Sequence, residues 1–587
     1  MKKIVFAVLL MISFGACKQA SKDNQKFTTF LENYYQEQLK LSPLQATFAG
    51  DNRYNDLLPN DGSVAFLKEW TSFNTRFLDS LKNYDRASLN ANDQLSFDVL
   101  KYQLDLNLEG DKYHFEYLPF NQMTALPLTI GQLGSGTGAQ PFKTVKDYED
   151  WMKRVNAFSV WADTAIGNFK KGMAAGIVLP KSLVVKMIPQ MQGMVVTDPK
   201  KSLFYGPIDL MPKEFSTTDK DKLTKEYSNM ILTVIAPTYK KLADFLQNEY
   251  LAKATTTSGL SSLPGGTAMY AYQVKSQTTT NKTPEEIYQT GLSEVARIRG
   301  LMDSIKTSVG YKGDLAAFFE YMKTDKQFMP YHTPKEVIAA FEDIHQRMKP
   351  NLKTMFESEP KTPFEIRQTE AFRAASASAE YNQGAADGSR PGIFYVPILD
   401  ATNFNTTSGM ESLFLHEAIP GHHYQISLTQ ENTNLPKFRR FGGHNAYVEG
   451  WALYCESLGK ELGLYKDPYQ YMGALGDEMH RAIRLVVDVA IHTKNMSRED
   501  AIKYMMDNEA ISEQGATAEI ERYMGMPGQA LGYKTGAMKI SALRTKYEHE
   551  LGNKFKLAEF HTQVLKDGSL PLAVFETKMD QWAASKK

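Results

Sequence analysis

Cysteine is almost missing from this chain of 587 residues: Cys17 and Cys455 are its only two. Cys17 falls in an N-terminal targeting segment, so a mature chain keeps one thiol, which excludes an intramolecular disulfide. An excess of charge is missing as well. Lys plus Arg and Asp plus Glu stand at 67 each, so no net field draws the molecule to nucleic acid or to an anionic membrane. The N-terminal apolar run, Ile4–Phe14, is too short to span a bilayer comfortably. No internal repeat is present. The glycine-dense stretch from Ile130 to Phe142 has no lysine-hydroxyl pair behind its glycines, which argues against a phosphate cradle and predicts a loop, either beside a cleft or on the plain surface.

Lys2 and Lys3 precede that apolar run, and Gly15-Ala16 stands directly before Cys17. Small residues ahead of a cysteine resemble a bacterial lipobox. The resemblance implies a signal peptide over residues 1–16, lipid on the Cys17 thiol, and a polar tether over residues 17–25. The competing reading is an ordinary secretory signal with an incidental cysteine. Lys18 is not the acidic residue that resembles an inner-membrane retention signal. The expected location is therefore the outer membrane, reached only through the anchor.

What the chain does contain is a concentration of histidine. Of its 11 histidines, three fall within eight residues, in HEAIPGHH from His416 to His423. Ser408, with Glu411 three residues on, has the form of a capping box and predicts a helix that carries His416 and Glu417 about two turns in. A zinc peptidase helix ordinarily places two histidines four apart with a glutamate beside the first, so that both rings reach one ion and the carboxylate faces its water. Here the fourth position after His416 is Pro420. Proline loses a helical hydrogen bond and clashes with the preceding turn, so a bulge or kink is expected at Pro420-Gly421. In an unbroken helix His423 would lie about 10 Å further along the axis than His416. His422 needs a widened turn. We favour His422 and keep His423 as the alternative.

The stretches HEAIPGHH, EGWALYCE, RLVVDVAIH and PGQALGYKTG resemble those of a bacterial family known as domain of unknown function 885, many of whose members are predicted lipoproteins. The family is similar in turn to helical zinc metallopeptidases of the thimet oligopeptidase, angiotensin-converting enzyme and carboxypeptidase Taq groups. Those carry a His-Glu-x-x-Gly-His ligand helix followed by a glutamate ligand, and this chain departs from them by extra residues before Gly421-His422. The resemblance implies a mainly α, multi-helix fold with a small β-sheet beside the metal helix, one zinc ion, and a peptide or small amide as substrate.

The rest of the chain is read within that frame. Apolar spacing predicts a helical N-terminal lobe over residues 26–254, a boundary in the Thr, Ser and Gly-rich stretch from Ala254 to Gly266, and a catalytic lobe over residues 267–587. Strands are predicted at Pro363–Arg367 and Gly392–Leu399, either to pair with a substrate backbone or as a plain hairpin. A helix from about Asn445 to Leu462 carries Glu449, the third metal ligand, and Glu456, which could orient a ligand histidine through its free ring N–H. On the next helix His480, Arg484, Asp488 and His492 recur every four residues. Arg484 and Asp488 could pair structurally; alternatively Asp488 supports a histidine while Arg484 holds a substrate carboxylate. Tyr533, in a glycine-rich turn, could donate to an oxyanion or simply pack. Glu417 is the expected base, with His416, His422 and Glu449 as ligands. Two other classes stay open: an inactive peptide-binding lipoprotein of the same fold, and a zinc hydrolase of non-peptide amides or esters.

Overall fold

The computed structural model describes residues 24–370, 378–385, 388, 390–407 and 409–587. Cys17, the targeting segment and Ser408 lie outside the described residues. Among these the chain is mainly helical, with one three-stranded sheet. No described helix is long and apolar enough to cross a membrane.

Residues 24–93, Leu100–Met269 and Met524–Met526 make one compact unit. Its spine is the 31-residue helix Val145–Ala175, opened by a Thr144/Asp147 capping box and closed by Gly176 at φ 75°. Tyr148, Trp151, Val155, Phe158, Ala162, Ala165 and Phe169 recur at helical spacing and are buried, which gives the helix its inward face. The glycine-dense stretch corrects the expectation of a loop: its first part belongs to the helix Leu126–Gly134. A Cβ on Gly134 would meet ring atoms of Trp151 and Phe204 at 2.5 Å, so close packing accounts for that glycine.

Gln94–Val99, Tyr270–Tyr523 and Pro527–Lys587 make the second unit. Both predicted strands are present, as β1 (Phe364–Gln368) and β3 (Gly392–Val396). A short β2 (Glu380–Asn382) completes the sheet in the order β1-β3-β2. β1 runs parallel to β3, so the two predicted strands do not form a hairpin. The central strand reads as a nearly continuous apolar run because Gly392, Ile393, Phe394 and Val396 are all buried. Phe394 packs on Phe414 of the helix Met410–Glu417, which sets the sheet against the histidine-bearing segment.

The helices Asn445–Ser457 and Leu531–Leu551 press together on their smallest residues. A Cβ on Gly450 would come within 2.5 Å of the Gly536 Cα, and one on Gly536 within 1.7 Å of the Ala446 carbonyl oxygen. Only glycine allows backbones to approach this closely. The contact brings Tyr533, one turn before Gly536, to the level of Glu449, beside Gly450.

Candidate metal centre

The predicted kink at Pro420 is a full break. One helix ends at Glu417 and the next begins at His422, with Ala418 (ψ −105°) and Gly421 (ψ −124°) outside helical geometry and a cis Ile419–Pro420 bond between them. The break leaves carbonyls in need of donors. Trp451 Nε1 supplies one to the Pro420 oxygen at 2.9 Å, and the His423 N–H reaches the Ala418 oxygen. A Cβ on Gly421 would lie 1.9 Å from the His416 carbonyl oxygen, so a side chain there would prevent the chain from folding back.

The fold-back selects His422. Glu449 Oε2 lies 3.7 Å from His416 Nε2 and 3.6 Å from His422 Nε2. The two rings are perpendicular, with centroids 4.9 Å apart. Metal–ligand bonds of about 2.0–2.2 Å in tetrahedral array put neighbouring donor atoms roughly 3.3–3.6 Å apart, so each imidazole stands from Glu449 at about the spacing of two ligands on one ion. Glu417 offers a further carboxylate oxygen within 4.8 Å of both imidazoles. His416 is buried, whereas Glu417, His422, Glu449 and Tyr533 keep some exposure.

The electrostatics point the same way. Burial works against charge on His416, but Glu449 and Glu456 outweigh it and raise its pKa to about 10. Burial likewise opposes charge on Glu449, and the histidines bring it down to about 2. Glu417 is different: burial, with Glu449 adding repulsion against the pull of His416, pushes it up to about 7. Three carboxylates converge on the two imidazoles, so the donor set fits a divalent cation.

Around this group the predicted residues divide. Glu456 Oε1 meets His416 Nδ1 at 2.7 Å, where the sequence places it. His423 is not brought to the group; its Nδ1 faces the Tyr381 hydroxyl at 3.0 Å and its ring lies against Phe364. Tyr533 lies in the first turn of a helix, not in a loop; its ring stacks on that of His416 with centroids 6.5 Å apart, and its hydroxyl favours the ionised form of Glu449. Arg484 is buried, with Nε on the Tyr523 hydroxyl (3.0 Å) and Nη2 on Glu519 (2.9 Å), and its guanidinium covers the Tyr533 ring at 4.8 Å. Asp488 corrects both expectations for it, accepting from the Tyr270 hydroxyl and the Gly528 N–H. His480 engages Glu509 and Glu519, and His492 the Tyr523 carbonyl. Glu411 takes Arg347 and the Tyr465 N–H, and the helix starts after Gly409; the expected capping box involves Ser408, outside the described residues.

Arg481 and Asp477 were missed. Arg481 reaches Glu456 Oε1 at 3.4 Å and Asp477 at 3.4 Å, while Asp477 takes the Ser412 hydroxyl, so the helix Pro468–Thr493 ties the helix of His416 to that of Glu456. Their four-residue spacing was the available signal.

The model of a bacterial protein family of unknown function, DUF885, matches residues 43–579. The chain belongs to this family. A crystal structure titled as the putative lipoprotein from Colwellia psychrerythraea is similar at 28% identity and TM-score 0.87, over 96% of this chain and all of that one. A second, titled as a putative lipoprotein of unknown function from Shewanella oneidensis, is similar at 19% identity and TM-score 0.74, over 94% and 99%. No curated protein matches.

Proposed function

We propose that this DUF885 member is a zinc-dependent hydrolase of peptide bonds in the cell envelope, with a fold allied to the helical metallopeptidases named above. The observation that carries the reading is the meeting of Glu449 Oε2 with two imidazole Nε2 atoms at 3.7 and 3.6 Å, beside a further, partly buried carboxylate. His416, His422 and Glu449 would hold the ion. When bound, it supplies Lewis acidity, which acidifies a water and polarises a carbonyl.

The chain's own groups do the rest. Glu417, whose pKa burial lifts to about 7, is suited to accept a proton from water near neutrality and return it to the leaving amine. The backbone of Tyr381 on β2 favours the ionised form of Glu417 against burial. β2 is an edge of the sheet, which gives an extended peptide a strand to lie along. Glu456 fixes the His416 tautomer by accepting from Nδ1. Tyr533, on Glu449, stands where its hydroxyl can turn to an oxyanion. Lipidation at Cys17 would tether the enzyme to the outer membrane; the lipoprotein titles of the two relatives support this reading.

The deciding experiment compares the mature chain with Glu417→Gln on a mixed peptide digest, with and without chelator. We expect chelator to stop turnover reversibly, and Glu417→Gln to abolish turnover while keeping about one metal per chain. Joint loss of metal and turnover in the variant would make Glu417 structural. A metal-loaded protein that cuts no peptide would move the assignment to peptide binding or to other amides and esters.

A further inference from the structure

Glu456 owes its place beside His416 to very few groups. It sits in the last turn of the helix Asn445–Ser457, where free carbonyls carry a partial negative charge that works against a carboxylate. Burial works against it further. Its Oε2 makes no hydrogen bond among the described residues. Both of its side-chain partners meet Oε1, His416 Nδ1 at 2.7 Å and Arg481 Nη2 at 3.4 Å. Arg481 is therefore the cation that offsets this placement, apart from the ring that Glu456 itself orients.

Arg481 is fixed in its turn. Its Nη1 reaches the Asp477 carboxylate at 3.4 Å and the Asp477 carbonyl at 3.1 Å, one turn back on the helix Pro468–Thr493. Asp477 accepts from the Ser412 hydroxyl, and Ser412 lies one turn before His416. The contacts close on themselves, running from the His416 helix through Ser412, Asp477, Arg481 and Glu456 back to the His416 ring. Gly409 makes room for this circuit: at φ 77°, a Cβ on it would lie 2.1 Å from Asp477 Oδ2 and 2.9 Å from Ser412 Oγ. Tyr465 ties the same two helices again, its N–H on Glu411 at 2.7 Å and its hydroxyl on the Glu456 carbonyl at 2.8 Å. It does so at φ 56°, a costly conformation for an aromatic residue.

We infer that Arg481 is a positioning residue for the metal: acting through Glu456, it keeps the His416 ring turned so that Nε2 faces Glu449 and His422. The sign of the effect separates this role from simple charge. A positive group repels a cation, so removing Arg481 by charge alone would tighten metal binding. Losing the orientation weakens it. The inference rests on the metal site of the hydrolase reading and not on its substrate, so a protein that binds zinc and cuts no peptide leaves it standing.

Zinc affinity is measured by chelator competition for wild type, Arg481→Gln, Glu456→Gln and the double variant. Arg481→Gln should lose about 10- to 100-fold, the range for removing an outer partner of a ligand histidine. In the Glu456→Gln background the same change should cost less than about 2-fold, because its route to the ion is already cut. Arg481→Lys, which keeps the charge and a donor, should recover most of the affinity. Asp477→Asn, which loosens Arg481 without removing it, should show a smaller loss that also disappears with Glu456→Gln, and it carries the test if Arg481→Gln does not fold. At saturating cobalt(II), the visible absorption of Arg481→Gln should move to that of Glu456→Gln, a change that a merely structural role would not produce. Unchanged or tighter zinc binding in Arg481→Gln, or losses that add in the double variant, overturn the inference and leave the metal site intact. Absence of zinc binding in wild type would overturn the metal site and the inference with it.

Discussion

Between two adjacent rings, only one points at Glu449. His422 Nε2 stands 3.6 Å from Glu449, whereas His423 is spent on Tyr381 and Phe364. His422→Ala should therefore weaken zinc binding by more than the about 10- to 100-fold typical of losing an outer hydrogen-bond partner, while His423→Ala should leave affinity unchanged. Competition against a chromophoric chelator measures both. Equal losses would mean that the two rings exchange roles. The histidine pair, Glu417, Glu449 and Glu456 were legible in the sequence because each depends on local rules: proline chemistry, helical spacing, and a carboxylate that returns on the next helix. Asp488 was not legible, since its partner Tyr270 is 218 residues away and no local pattern announces it. Arg484 was expected either to pair with Asp488 or to hold a substrate carboxylate, and its partner Glu519 was not legible for the same reason, since it lies on another helix.

Between elements, the fit depends on glycines that no propensity would place in helices. Gly536→Ala should destabilise the protein by about 1–3 kcal/mol through overpacking, because its Cβ would lie 1.7 Å from the Ala446 oxygen. It should also reduce turnover by moving Tyr533 away from Glu449. Thermal melting with parallel kinetics checks this; an unchanged melting temperature would show that the two helices can separate freely. Sequence reading found the helix of Glu449 and placed its start correctly at Asn445, ending it five residues too late. It assigned Tyr533 to a turn, since Gly532 and Gly536 look like loop residues until the facing Asn445, Ala446 and Gly450 are known. β2 was missed because three residues carry too little alternation, and parallel pairing of β1 with β3 is a tertiary fact.

At the scale of the whole molecule, buried neutral histidines make the fold sensitive to acid. His561 is fully buried, with Nδ1 on the Met355 carbonyl and Nε2 on the Tyr454 hydroxyl, and burial pushes its pKa down to about 3. Its folded pKa lies below the unfolded value of about 6.5, so its contribution is complete above that pH and is lost as pH falls toward 3. Between pH 7 and 5 this amounts to about 2 kcal/mol. Urea unfolding of His561→Gln should show that much less pH dependence than wild type over the interval, and an identical slope would place the acid sensitivity elsewhere.

The family model spans residues 43–579 and the Colwellia structure covers 96% of the chain, yet the proposed function turns on three atoms. A zinc-soaked crystal of the mature protein, measured on both sides of the zinc absorption edge, tests them most directly. The account predicts one anomalous peak among His416 Nε2, His422 Nε2 and Glu449, at about 2.0–2.2 Å from each. A peak on His423, or none between those two helices, would contradict it.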